Sequence, residues 1–189
     1  MKFSSLALRS TLLSMLWLPF AATAESQLTI GTGTASARLN FQVIVPRVLF
    51  LAVGTGSASL SDNPTIDTVI FDYSGNPQDL GLMGAPAGAI TGASVPVRVL
   101  GNNGQVVITA SGSGAGLSNG TDTIAWSEIT GSSSAGTLPI PAVGQTVNPT
   151  LNSGKLTNRT ATWTYSYSNS NIVAPGSYAG EITYTASMP

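Results

Sequence analysis

The chain contains no cysteine and no histidine among its 189 residues, and charged side chains make up only 8 % of it. Each shortage removes a class of chemistry. Without cysteine there is no disulfide framework, the common support of small exported domains, so stability must come from burial or from a neighbouring molecule. Without histidine or cysteine there is no ordinary zinc site, no Ser–His or Cys–His couple and no imidazole acid–base. The carboxylates Asp62, Asp67, Asp72, Asp79, Asp122, Glu128 and Glu181 are scattered along the chain and do not form an evident glycosidase-type pair. We therefore expect no catalysis and no cofactor. The cluster "SDNPTID" (61–67) lacks the spaced carboxylates and glycine of a calcium loop, and an Asx-turn is the better account of it.

Charge is equally limiting. After residue 24 there are five basic against eight acidic residues, with no basic stripe, so nucleic acid is not an expected partner. Solubility rests instead on Ser, Thr, Asn and Gly.

The first residues read as a secretory signal peptide: Lys2 and Arg9, then the short apolar run "LLSMLWLPFAA" (12–22), then small residues at "ATA" (22–24). Cleavage after Ala24 would leave a mature chain from Glu25 to Pro189, with no stable membrane insertion once the leader is removed.

The mature chain has a period of two, with no convincing helix. "TVIFDY" (68–73) puts Val69, Phe71 and Tyr73 on one face. "VPVRVLGNNGQVVITAS" (95–111) reads as two strands, one presenting Val95, Val97 and Val99 and the other Val106, Ile108 and Ala110. Gly101-Asn102-Asn103-Gly104 between them reads as a hairpin turn, because Asn and Gly tolerate positive φ. "DTIAWSEI" (122–129) is a further strand. In "NRTATWTYSYSNS" (158–170), Ala161, Trp163, Tyr165 and Tyr167 share a face, and in "GSYAGEITYTASMP" (176–189), Tyr178, Ile182, Tyr184, Ala186 and Met188 do so. Trp126 and Trp163 are expected to pack in the core. Seven or eight short strands between Gly/Ser/Pro-rich loops predict an all-β fold: an antiparallel, immunoglobulin-like β-sandwich.

The stretch "ARLNFQVIVPRVLFL" (37–51) is the most one-faced of all. Ala37, Leu39, Phe41, Val43 and Val45 alternate with Arg38, Asn40, Gln42 and Ile44, and Pro46 then interrupts. Proline cannot donate to a ladder, so it marks an edge, a bulge or a change of partner. Two readings stay open. Residues 37–45 are either the first strand of a self-contained sandwich, with Leu28 and Ile30 of the preceding "SQLTIGTGTAS" (26–36) as plugs for another molecule, or they are themselves a strand given to a partner. The expected organisation is a leader at 1–24, an N-terminal extension at 25–36 as candidate donor strand, and one sandwich domain at 37–189.

The alternating first strand, the proline, the second apolar run "RVLFLAV" (47–53), the lack of cysteine and the ending "PGSYAGEITYTASMP" together resemble the cysteine-less pilin subunits of chaperone–usher fimbriae, of the alpha-type or common-pilus kind. The ending, with Gly176, Tyr178, Gly180, Ile182 and Tyr184, is similar to their last strand. Spore-coat-U-like secreted subunits are a more distant likeness, although those usually carry cysteines. The resemblance is concentrated in residues 25–53 and 158–189.

It implies a pilin-like incomplete sandwich in a Gram-negative cell. The chain would be exported through the inner membrane to the periplasm, where a chaperone lends a strand. An outer-membrane usher would then assemble it with neighbouring copies into a surface fimbria. Leu28, Ile30, Leu39, Phe41, Val43 and Val45 would form the donor interface. Tyr178, Ile182, Tyr184, Ala186 and Met188 would form the C-terminal strand that meets the chaperone. The competing expectation is a monomeric secreted or periplasmic binding module that holds a carbohydrate or protein through its long loops (75–92 and 131–154).

Overall fold

The computed structural model describes residues 25–56 and 59–189, so the expected leader lies outside the described residues. The chain divides into two compact units, one ending at Val45 and the other running Pro46–Pro189.

The Pro46–Pro189 unit is all-β and antiparallel. Its strands are β1 (Leu49–Val53), β2 (Ile70–Asp72), β3 (Ala89–Thr91), β4 (Ser94–Gly101), β5 (Val107–Gly112), β6 (Gly116–Ser118), β7 (Thr123–Ala125), β8 (Ile129–Ser133), β9 (Thr146–Val147), β10 (Thr157–Tyr167) and β11 (Ile182–Ser187). Two larger sheets, β1-β4-β10-β8 and β11-β5-β9, form a sandwich, and β2-β3 and β6-β7 are separate ribbons. The only helical pieces among the described residues are the 3-10 turns Pro77–Asp79 and Trp126–Glu128.

The core follows from the alternation. In the register of the first sheet, Val95 lies opposite Trp163, and Val97 lies between Val53 and Ala161. In the second sheet, Ile108 lies opposite Ala186 and Ala110 opposite Tyr184. Val99, Val106, Ile108, Leu138 and Trp163 are completely buried and belong to one cluster. Trp163 packs on Tyr184 with ring centroids 5.1 Å apart, and its indole N–H donates to the Leu138 carbonyl at 3.2 Å.

Two expectations, one about pairing and one about Trp126, are corrected. Strands β4 and β5 are not a hairpin: they lie in different sheets, and Gly101–Gly104 carries the chain from one layer to the other. Both strands present an unbroken apolar row, and two such rows bury more surface facing each other than side by side. The Asn-Gly hairpin occurs instead between β6 and β7, where the Asn119 carboxamide oxygen accepts from the N–H groups of Thr121 and Asp122 and Gly120 has φ 98°. Trp126 sits in a 3-10 turn rather than in a strand and lies half-buried outside the main cluster, against Gly112 and Gly180, where any Cβ would collide with its ring.

The core sites should be sensitive to truncation. Ile108→Ala is expected to cost about 2–5 kcal/mol, read as a lower urea midpoint at unchanged slope. Thr109→Ala, on the exposed side of the same strand, should stay within about 0.5 kcal/mol.

Candidate functional site: an open edge of the sandwich

Burial is uneven across the two sheets. On β4 and β5 the inward residues are almost completely buried, whereas on the neighbouring edge strands the inward residues are not. Leu49 of β1 is 38 % exposed, Leu51 and Val53 are half-buried, and Ile182, Tyr184, Ala186 and Met188 along β11 are all half-buried. β1 pairs only with β4, and β11 only with β5, so each has an unpaired long edge among the described residues. The two edges lie on the same side of the sandwich, with Cα atoms of β1 and β11 within 8 Å of each other. A cleft of about 620 Å³ runs along β1, between it and Ser61–Thr65. Neither strand carries a charged side chain.

The opposite side of the sandwich shows what a covered edge looks like. The segment leaving β8 crosses from the first sheet to β9 in the second, and on the way it buries Leu138 completely and packs Ile140 on the core. The Ser133 hydroxyl donates to the Leu138 carbonyl at 2.7 Å and fixes the crossing. On the β1/β11 side, Ser61–Thr65 stand across the cleft from β1 but are all exposed and bury nothing comparable to Leu138. An edge with free backbone groups and a half-covered apolar row is a template for another strand.

The unit that ends at Val45 supplies the matching feature. Residues 37–45 form no strand, so of the two readings left open by the sequence the structure does not have the one in which they open the sandwich as a strand of its own sheet. Leu39, Phe41, Val43 and Val45 are all at least 72 % exposed, with Phe41 at 86 %. Their alternation is plain from the local pattern, but no described strand pairs with them. Leu28 and Ile30 are also exposed, yet their segment is doubled back on itself. Arg38 binds the Glu25 carboxylate through two nitrogens at 2.8 and 3.0 Å, the Ser36 N–H donates to the Gln27 side-chain oxygen at 3.0 Å, and the Thr29 hydroxyl donates to the Thr34 carbonyl at 3.1 Å. The bend falls at 31–33, where Gly31 has φ 99°. This reversal is readable in principle, because the three pairs 25/38, 27/36 and 29/34 are nested about a point beside Gly31.

Of the residues expected on the last strand, Ile182, Tyr184 and Ala186 share one face of β11, and Met188 follows just beyond it on the same alternation. Tyr178 lies outside the strand, and its hydroxyl donates to the Ala174 carbonyl at 2.9 Å. The long loops are built into the fold. The buried Asn169, held at φ 51°, donates to the Asp79 carbonyl at 2.7 Å and accepts from the Gly81 N–H at 2.8 Å, pinning loop 75–92 to the end of β10. Tyr167 takes an edge-on contact from Tyr73 at 6.0 Å in the same region. Within 61–67, the Asn63 side chain accepts from the Thr65 N–H at 3.0 Å, as an Asx-turn requires. Loop 131–154 contributes Leu138 to the core. The chain matches no family model, and neither a curated protein nor a solved structure matches it.

Between β10 and β11 lies the most strongly perturbed pair among the described residues. The hydroxyls of Tyr165 and Tyr184 are 2.9 Å apart. Burial, and then the Tyr184 hydroxyl, push the Tyr165 phenol far above its ordinary value, and burial also raises Tyr184. A phenol raised in the folded state keeps its stabilising contribution below the unfolded value of about 10 and loses it as pH rises beyond that. Unfolding free energy, measured by urea titration, is therefore expected to fall steeply above about pH 10. Tyr165→Phe should flatten that alkaline limb, while losing about 0.5–1.5 kcal/mol at neutral pH with the hydrogen bond.

Proposed function

We propose that this chain is a structural subunit of a surface fibre whose members join by strand donation. The apolar N-terminal segment of one subunit completes the open β1/β11 edge of the next. The observation that carries this reading is the coincidence of two uncovered halves: an incomplete sandwich edge, and an alternating apolar row with no partner of its own. Burying Leu39, Phe41, Val43 and Val45 at about 1.5–3 kcal/mol each yields on the order of 6–12 kcal/mol, comparable to the net stability of a whole domain. Backbone pairing along the free edges adds direction and register.

The same reading includes export behind the leader at 1–24, passage through the periplasm, and a periplasmic chaperone that shields β11 until a subunit arrives at an outer-membrane usher. The resemblance to chaperone–usher pilins supports these steps, and so does the hazard of leaving such edges bare. The fibre subunit is non-catalytic, and its partners are copies of itself or related subunits.

The test is the double variant Phe41→Asp/Val43→Asp in the full chain. Both positions are exposed, so the unfolding midpoint of the monomer should barely move, within about 0.5 kcal/mol. Ladders that resist SDS in unheated samples should vanish. Ladders that persist in the variant, or a native chain that runs only as monomer, would overturn the proposal. Genes for a chaperone and an usher beside this one would be independent support.

A further inference from the structure

The segment 25–45 is two pieces with different character, and the division falls between Arg38 and Leu39. From Glu25 to Arg38 the chain is a hairpin closed by three side-chain contacts, with the two-pronged Glu25–Arg38 pair at its mouth. From Leu39 to Val45 it is uncharged and alternating, and Pro46, which has no N–H to give, ends the run. The open edge has matching dimensions. Four half-buried side chains alternate along β11 and just past it (Ile182, Tyr184, Ala186, Met188), and four alternate in the segment (Leu39, Phe41, Val43, Val45). Seven residues of strand extend about 23 Å and the six of β11 about 20 Å. Neither residues 39–45 nor β11 carries a charged side chain.

Resting on the fibre reading, we propose that the hairpin Glu25–Arg38 is a register stop: it limits the donated strand to residues 39–45 of a second copy and fixes where that strand halts. Sliding further by two residues would bring Arg38 alongside β11, a strand that carries no charged side chain. Desolvating the guanidinium opposes that, as does opening the turn at Gly31. The pair itself is solvent-exposed, and exposed pairs contribute little to stability. Its effect is to place charge and a chain reversal at the boundary.

The test uses the full chain, in which introduced thiols are the only ones. Thr185→Cys, on the outward side of β11, is combined in turn with Asn40→Cys, Gln42→Cys and Ile44→Cys, which fall on the outward side of the donated strand. One of the three should link subunits at least five times more efficiently than the others. Adding Glu25→Leu/Arg38→Leu, or separately Gly31→Pro, should spread the links to a position two residues away and reduce the favoured yield at least twofold. Both changes lie outside the Pro46–Pro189 unit. A single unchanged register in the opened variants would overturn the stop while leaving the fibre intact, and so would links shared evenly among the three positions in the native hairpin. Linking from Thr29→Cys instead would overturn the stop and assign donation to 26–34. Failure of every pair to give a linked species would overturn the fibre reading itself.

Discussion

The face-to-face contact of β4 and β5 is the interaction on which the rest of this molecule depends. Their valines and Ile108 meet across the two sheets, Trp163 fills the space beside them, and the connection Gly101–Gly104 passes between layers. Once two successive strands are spent on opposite sheets, each sheet grows outward from its own central strand, and the sandwich has two sides to close. One side is closed by the chain itself through Leu138 and Ile140. The other is left to β1 and β11, whose inward residues reach the core but are half open to solvent. Incompleteness here belongs to one side of an otherwise dense core, and it is not general looseness.

The lack of cysteine gives that contrast its weight. With no covalent staple, the unit is held by apolar burial and by a few polar pins. Asn169 is the clearest pin. Fully buried in a left-handed conformation that Asn tolerates better than most residues, it satisfies three backbone groups of loop 75–92 with its own carboxamide and so helps to anchor a glycine-rich loop. Asp67 has a similar part at the far end of β1, accepting from the N–H and hydroxyl of Thr55 at 2.6 and 2.9 Å. These contacts order the loops without covering the free edges, so a long-loop chain can be well formed and still have a vacant strand position.

Residue alternation makes the faces legible. Ala161, Trp163, Tyr165 and Tyr167 do share the inward side of β10, and Ile182, Tyr184 and Ala186 that of β11. Pairing is not legible in the same way. A period of two states which side chains share a face, but it is silent on whether an apolar row lies beside its neighbour or opposite it, and that choice is decided by contacts distant in sequence. Hence Asn102-Asn103 reads as a hairpin turn although it joins two layers. Residues 37–45 read equally as a strand of the fold or as a strand for a partner, because alternation is the same whether the partner is internal or external. Leu138 carries no periodic signal at all, lying in a proline- and glycine-rich stretch, and only the need to close the β8/β9 side explains its burial.

On the fibre reading, a subunit with an apolar donor segment and an open edge must avoid satisfying itself, and the junction between them bears on this. To fold back beside β11, residues 39–45 would have to reverse direction through 46–48. Hairpin turns are held by bonds between their own backbone groups, and in this stretch those groups are engaged elsewhere. The Val48 N–H donates to the Asn102 side chain at 2.8 Å, the Asn102 carboxamide donates to the Pro46 carbonyl at 2.8 Å, and the Asn102 N–H donates to the Val48 carbonyl at 3.3 Å. Pro46 has no N–H to contribute. One asparagine in the interlayer connection thus ties residues 46–48 to the end of β4, beside the start of β1, and disfavours a chain reversal there. On the fibre reading, Asn102 works for the polymer by making the intramolecular alternative costly, so that the uncovered row and the uncovered edge are each completed by a different copy.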